Sequence, residues 1–280
     1  MKKLLALFTI LFFTMNTASA AIRVSPSYIE LDANKTRKDY ITSSFSVSGG
    51  KDETVRFKIY PKFFKRDQQG HVVELEDKDQ KNSLMGKIKV YPQEFSCQNG
   101  IEQKIRFTVT GVKALPVGES RLVLYLEDTN TREIVIKNAQ GGSGGKLLLK
   151  TRVGVPVYVD KGIYTKRGNL DAVAFKQIGE DYACDYKVSS IGNSKIRYNG
   201  FGYISQGDKL IKKFDISGST VEGGDILERI QKIGSLKDDL VEGQEYKLKF
   251  ILTYKNEHDK EKVLKKELTF IPAKPISNKV

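Results

Sequence analysis

The chain has 280 residues and a formal net charge of +13 at neutral pH, from 47 lysines and arginines against 34 aspartates and glutamates. The basic residues are scattered along short apolar runs, which argues against a nucleic-acid-binding surface and favours solvated strand faces. The excess of positive charge still attracts acidic partners and carboxylates. The length is enough for two hydrophobic cores of ordinary size.

Residues 1–20 have the three-part anatomy of a secretory signal peptide. A basic head at Lys2 and Lys3 precedes an apolar core that runs to Phe13, and small residues at positions 18–20 mark the expected cleavage site. The apolar core is too short to cross a bilayer, and a retained membrane anchor is the alternative. We therefore expect an exported, soluble mature chain that begins at Ala21.

The rest of the chain is predicted to form short strands. Runs rich in valine, isoleucine, phenylalanine, tyrosine and threonine alternate with turn residues, which is the pattern of an all-β sandwich. A first series of runs lies at 22–32, 40–49, 53–64, 86–95, 103–111 and 120–128. A second series lies at 170–178, 182–192, 195–205, 209–217, 245–255 and 263–272.

The two series predict two consecutive sandwiches, residues 21–160 and residues 161–280, with a hinge near 160–164. Helix-period stretches are scarce. The segment 225–233 ("DILERIQKI") is the best helix candidate, and it fits an edge strand equally well.

The sequence shows no constellation of residues that is typical of an enzyme. The only histidines, His71 and His258, lie in charged, loop-like contexts without a second ligand at metal spacing. No serine has the setting of a nucleophile elbow, and the glycine run at 141–145 lacks the ending of a phosphate-binding loop. We expect no catalytic activity, no cofactor and no metal.

The two cysteines, Cys97 and Cys184, lie in different predicted domains. Two buried free thiols are the favoured interpretation, because unpaired cysteine is among the most buried residue types. One disulfide is the alternative, since an exported protein meets an oxidising compartment.

The segment 138–159 ("NAQGGSGGKLLLKTRVGVPVYV") joins a glycine-rich loop to a strongly strand-forming run. In a strand, alternate residues point to opposite faces. The even positions carry the charges, and the odd positions are almost wholly apolar: Leu147, Leu149, Thr151, Val153, Val155 and Val157. One interpretation is an ordinary sandwich strand whose apolar row faces its own core.

Four motifs follow one another along the chain: "YPQEFSCQNGIEQKIRFTV" (91–109), "ALPVGESRLVLYLED" (114–128) before the strand that ends "TRVGVPVYV", "YKVSSIGNSKIRYNGFGYI" (186–204) and "LVEGQEYKLKFILTY" (240–254). This succession behind a signal peptide resembles the PapD-like periplasmic pilus chaperones. The resemblance covers essentially the whole mature chain.

The resemblance implies two immunoglobulin-like sandwiches in a boomerang arrangement. Such a periplasmic protein binds newly exported pilin subunits and delivers them to an outer-membrane usher. A pilin lacks its last strand, and the chaperone lends its own strand to fill the open groove. Main-chain hydrogen bonds then give affinity, and an apolar row fills alternate pockets. By this resemblance, the row that faces the pilin is Leu147, Leu149, Thr151 and Val153.

The resemblance also implies anchors for the C-terminal carboxylate of the pilin, bound in the cleft between the domains. Arg152 matches the family's basic residue near the end of the lent strand, and its planar fork can bind a carboxylate bidentately. The family's second basic anchor is replaced here by Tyr28, whose hydroxyl donates a hydrogen bond without positive charge. Arg23 lies on the opposite face, roughly 16 Å away along an extended strand. An exposed or internally paired Arg152 is the alternative.

Two other functions suit an exported pair of sandwiches. One is an adhesive or structural surface protein without a folding client, and the other is a carbohydrate-binding module. Against the module, the chain has no tryptophan, and its 13 tyrosines lie mostly within the strand runs.

Overall fold

The computed structural model describes residues 22–49, 54–76, 81–98, 101–130, 132–136, 145–178, 181–236 and 238–272. Strands dominate these ranges, which contain two short 3-10 turns, Ala33–Lys35 and Val112–Ala114, and no α-helix. Consequently, no helix in them has the length and apolarity that a membrane crossing requires. The predicted signal peptide lies outside the described residues, as does most of the glycine run 141–145.

The first sandwich is built from two facing sheets. Its strands are β1 (Ile22–Ser25), β2 (Ile29–Asp32), β3 (Tyr40–Gly49), β4 (Val55–Arg66), β5 (Val72–Leu75), β6 (Ile88–Tyr91), β7 (Glu94–Cys97), β8 (Glu102–Thr110), β9 (Gly118–Asp128), β10 (Arg132–Ile136), β11 (Gly145–Leu149) and β12 (Arg152–Lys161). One sheet has the order β1-β3-β8-β6, and the other has the order β2-β12-β9-β4-β5 with β7 beside β4. Strands β10 and β11 pair with each other as a separate two-stranded sheet.

The N-terminal segment contributes to both sheets of the first sandwich. Strand β1 is antiparallel to β3, whereas β2 runs parallel to β12 on the other sheet. The resulting two-sheet order is of the immunoglobulin type.

The second sandwich repeats this plan with fewer strands. They are β13 (Gly168–Ile178), β14 (Asp181–Ser190), β15 (Ile196–Gln206), β16 (Lys209–Val221), β17 (Ile226–Ser235), β18 (Tyr246–Lys255) and β19 (Glu261–Phe270). A three-stranded sheet, β13-β14-β17, faces a four-stranded sheet, β16-β15-β18-β19. The segment 225–233 is a strand, because its odd positions, led by the buried Leu227, face inward with a period of two. It lies at the edge of its sheet, next to β14.

Each sandwich has a hydrophobic core of its own. Phe45, Phe57 and Phe107 are among the largest side chains of the first core, and Tyr198 and Phe250 are among those of the second. Burial of one such side chain contributes roughly 1.5–3 kcal/mol relative to exposure. The predicted fold class, all-β with two consecutive immunoglobulin-like sandwiches, is confirmed. The boundary at 160/161 stays a prediction, since β12 extends to Lys161 and β13 begins at Gly168.

Cys97 and Cys184 are both free and buried, so the favoured interpretation is confirmed. Cys97 lies in the first core and Cys184 in the second. Burial raises the pKa of Cys184 to about 12, which keeps this thiol protonated and unreactive at neutral pH.

Gly200 lies where β15 passes β18 too closely for a side chain. A Cβ at this position would meet the carbonyl oxygen of Ile251 at 2.0 Å. We expect Gly200→Ala to lower the free energy of unfolding by roughly 1–3 kcal/mol or more, measured by denaturant unfolding. Gly145→Ala is the matched control, because its Cβ would have no atom within 4 Å. Equal stability of the two variants would contradict the strand spacing.

Candidate partner-binding site

The predicted partner-binding segment is divided into two strands. Strand β11 ends at Leu149 and β12 begins at Arg152, so the prediction of one unbroken strand from Leu147 is wrong. The cause is a change of partner: β11 pairs with β10, whereas β12 pairs with β9. At the break, the amide of Asp128 donates a hydrogen bond to the carbonyl of Thr151 over 2.9 Å. We call residues Leu147–Val153 the ribbon.

The N-terminal half of the ribbon is strongly apolar and open to solvent. Leu147, Leu148 and Leu149 are 46%, 65% and 41% exposed. Leucines of both the odd and the even row are therefore exposed. The alternation predicted an apolar surface from the odd row alone, and Leu148 of the even row adds to it. Three adjacent exposed leucines form an apolar surface of the kind found at protein–protein contacts.

The odd-numbered residues of the segment are buried after the strand break and largely exposed before it. Val155 and Val157 are fully buried in the first core, as an ordinary sandwich strand would place them. Val153 is half-buried, and Thr151 is exposed. The part of the apolar row that remains available to a partner is therefore Leu147, Leu149, Thr151 and the edge of Val153.

One edge of β12 is free over its first half. Residues Arg152–Lys161 pair with β9 along their whole length. Strand β2 joins the opposite edge only from Val157 onward. Residues 152–156 therefore have no strand on that edge in the described part of the chain, and an incoming strand can pair there.

Arg152 lies on the outer face of the β2-β12-β9-β4-β5 sheet, held by partners from three other strands. Its Nη2 is 2.6 Å from Glu74 Oε1, and its Nη1 lies 3.5 Å from the hydroxyl of Tyr60. The guanidinium carbon is 3.9 Å above the centre of the Tyr125 ring. The structure thus pairs Arg152 with an internal acid, the alternative named above. The pair is partly solvated, with 41% of the arginine side chain and 29% of the glutamate side chain exposed.

A second acid lies beside this arginine. Glu127 is the cross-strand neighbour of Arg152 and accepts a hydrogen bond from Tyr60 over 2.7 Å. Lys150 forms an ion pair with the same carboxylate. Hydrogen bonds from Lys150 and Tyr60 hold the pKa of Glu127 below its usual value. The hydrogen bond to Tyr60, followed by the charge of Glu74, raises the pKa of Arg152. Arg152 is therefore a permanent cation.

Tyr28 lies at the junction with the second sandwich. The guanidinium carbon of Arg197 is 3.3 Å from the centre of its ring. From the β2–β12 register, Tyr28 is level with Pro156, about 13 Å along the strand from Arg152. The two predicted anchors do not contact each other, and their roles toward a partner stay predictions.

A buried ionic cluster joins the two sandwiches. Lys195, in the turn before β15, is 1% exposed and stacks 4.2 Å from the centre of the Tyr158 ring. Its Nζ lies 3.5 Å from Glu119, 3.7 Å from Glu30 and 4.0 Å from Asp160, three acids of the first sandwich. Burial raises the pKa of Asp160, whereas Lys195 opposes this rise.

A second pair crosses the junction next to this cluster. Arg66 Nε lies 3.1 Å from Glu222 Oε1, and the hydroxyl of Tyr158 donates to the same oxygen over 3.4 Å. Burial raises the pKa of Glu222, and Arg66 opposes the rise. The β4–β5 turn adds a backbone contact, in which the amide of Glu228 donates to the carbonyl of Gln68 over 2.6 Å. The two sandwiches are thus joined by paired charges that the sequence patterns did not single out.

Comparisons with known proteins give structural likenesses alone. No family model and no curated protein matches the chain. The solved class 5 fimbriae chaperone CfaA is 13% identical at a TM-score of 0.40, with 90% of this chain and 99% of that chain covered. The Pseudomonas aeruginosa CupB2 chaperone is 9% identical at a TM-score of 0.43, with 88% and 100% covered.

A complex of the Salmonella enterica SafA pilin with the SafB chaperone is 11% identical at a TM-score of 0.39, with 90% of this chain and 96% of that chain covered. All three TM-scores lie below 0.5. The chain is similar along most of its length to solved fimbrial chaperones.

Proposed function

We propose that this protein is a periplasmic chaperone of pilus assembly. It lends the ribbon and the free edge of β12 to a pilin subunit that lacks its last strand, and it delivers the subunit to an outer-membrane usher. The observation that carries the proposal is the coincidence of three exposed leucines with an unpaired strand edge directly after them.

The ribbon has the two properties that strand donation requires. The free edge of residues 152–156 supplies backbone donors and acceptors, and the leucines before it supply apolar side chains. Each leucine buried in a partner contributes roughly 1.5–3 kcal/mol. The charged Lys150 and Arg152 protect this edge from unspecific pairing while no client is bound.

Arg152 binds the subunit's C-terminal carboxylate in place of its present partner, the carboxylate of Glu74. Its present partner, Glu74, forms a partly solvated pair, and such a pair is worth about 0–1 kcal/mol. A client carboxylate can replace Glu74 at little cost, because one carboxylate is exchanged for another on the same guanidinium. Tyr60 and Tyr125 hold the guanidinium in place during the exchange.

Co-purification from the periplasm tests this proposal. We expect a small β-rich subunit to be recovered with the wild-type protein and to be reduced about ten- to hundredfold with Arg152→Ala, since a hydrogen bond to a charged group is worth roughly 1.5–3 kcal/mol. Arg56→Ala is the matched control, because Arg56 forms a similar exposed ion pair with Glu94 in the same sandwich. Equal recovery with both variants would remove Arg152 from the mechanism.

An adhesive or structural surface protein is the alternative function. It predicts that no subunit is recovered with the wild-type protein, even in cells that express pilin genes. That outcome would overturn the chaperone proposal as a whole.

A further inference from the structure

A polar cavity of about 640 Å³ lies at the junction of the two sandwiches. Arg66 and Gly70 line it from the end of β4 and the following turn of the first sandwich, and residues of β15 to β19 line it from the second. The cavity does not include the ribbon or Arg152, although its lining residue Arg197 stacks on the predicted anchor Tyr28.

The lining carries a strong excess of positive charge. Four cations, Arg66, Arg197, Arg229 and Lys255, face one acid, Glu261. Guanidinium groups bind paired oxygens of phosphates and carboxylates through parallel hydrogen bonds, and lysine adds a point charge. Such a set of cations around one cavity is suited to an anion.

Several of these cations have unused binding capacity. Arg197 Nε is buried without a hydrogen-bond partner, and its nearest carboxylate oxygen, on Glu30, is 3.8 Å away. Arg229 donates from Nη1 to a neutral acceptor, the carbonyl of Gln69, over 2.9 Å. The Arg197 side chain as a whole is 35% exposed, so the rest of its guanidinium can donate to a ligand in the cavity.

Arg66 is the best-satisfied cation of the set. Its Nε pairs with Glu222 at 3.1 Å, and its Nη1 donates to the carbonyl of Gly70 over 3.1 Å. The remaining cations belong to the second sandwich: Arg197 and Lys255 lie on the neighbouring strands β15 and β18 of one sheet, and Arg229 lies on β17, the edge strand of the facing sheet.

We propose that this cavity binds a small, multiply charged oxyanion, with inorganic phosphate and polycarboxylates as the chemical class. The ligand's oxygens accept from Arg197, Arg229 and Lys255, and its remaining charge faces Arg66. Donors on several different side chains favour a ligand with several charged oxygens over a singly charged anion. Because the lining comes from both sandwiches, the bound anion also ties the first sandwich to the second.

Binding to the folded chain raises its melting temperature by mass action. We expect inorganic phosphate and citrate, each tested on the mature protein in low-salt buffer, to raise the melting temperature saturably. The rise should reach roughly 5–10 °C at a hundredfold excess over Kd. Acetate and chloride at equal ionic strength should give no saturable rise. Isothermal titration calorimetry with the same four anions measures the affinity directly.

Two variants locate the site. Arg229→Gln and Lys255→Gln should each weaken phosphate binding at least about tenfold, because each removes a charge-assisted hydrogen bond. Lys213→Gln is the matched control, since Lys213 lies on β16 against the Phe201 ring and outside the cavity. Melting in chloride checks that all three variants fold.

Three results would overturn the proposal. They are no saturable binding of phosphate or citrate, acetate binding as tight as phosphate binding, and equal affinity in the cavity variants and Lys213→Gln. If citrate binds more tightly than phosphate, with the same dependence on Arg229 and Lys255, the site is supported and its preferred ligand is a polycarboxylate.

Discussion

The double variant Leu147→Ser, Leu149→Ser is expected to lose the client subunit while its own fold stays intact. Both leucines are exposed, so their replacement should change the free energy of unfolding by less than about 0.5 kcal/mol. In the proposed complex both side chains are buried, and each contributes roughly 1.5–3 kcal/mol. The summed loss of about 3–6 kcal/mol corresponds to a weakening of more than a hundredfold. Subunit recovery from the periplasm and thermal unfolding of the free variant are the two measurements.

The matched control for this variant is Leu210→Ser. Leu210 is also an exposed leucine on a strand, but it belongs to β16 of the second sandwich. It should keep the client at the wild-type level, which separates loss of the ribbon from a general loss of apolar surface. If the double variant recovers as much subunit as Leu210→Ser does, the client does not bury these leucines, and strand donation by the ribbon is ruled out.

The sequence predicted the strand-rich organisation because it depends on local alternation, but the predicted runs 22–32 and 86–95 each contain parts of two strands. Val155 and Val157 of the odd row are buried in the first core. The secondary structure of the segment 225–233 could not be decided from the sequence, since apolar residues at 226, 227, 230 and 233 suit both the helical and the strand period. Pairing with β14 decided in favour of the strand.

The break in the ribbon could not be predicted from local pattern. It arises because β9, the partner of β12, ends at Asp128, whereas β11, the strand just before β12, pairs with β10. The partners of the two predicted anchors could not be predicted from the sequence either. Arg152 pairs with Glu74 and Tyr28 with Arg197, and both partners lie far away along the chain. Such contacts depend on tertiary packing, which composition and periodicity do not encode.

The largest loss of stability is expected for Lys195→Met, which removes the cation at the centre of the buried ionic cluster. Methionine keeps the length of the side chain and deletes the charge. Glu119 and Asp160 then remain buried without this partner. Breaking a buried ion pair by removing one partner costs roughly 3–5 kcal/mol. Denaturant unfolding of the variant measures this loss.

The size of this loss should depend on pH. Burial already raises the pKa of Asp160 above its ordinary value of 3.8, and without Lys195 the pKa rises further. A carboxyl whose folded pKa is raised destabilises the fold above that pKa, and the cost is relieved as the pH falls through it. The deficit of Lys195→Met relative to wild type should therefore be larger at pH 8 than at pH 5.

A second substitution tests the cause of the deficit. Asp160→Asn, introduced together with Lys195→Met, removes one of the buried negative charges that lose Lys195 as a partner. It should recover part of the stability, with an interaction energy of about 0.5–3 kcal/mol.

Lys247→Met is the matched control for Lys195→Met, because Lys247 forms an exposed pair with Glu267 at 3.9 Å and such pairs are worth about 0–1 kcal/mol. If Lys195→Met is no less stable than Lys247→Met at pH 8, buried charge pairing does not hold the two sandwiches together, and their association depends on the loop and backbone contacts at the junction.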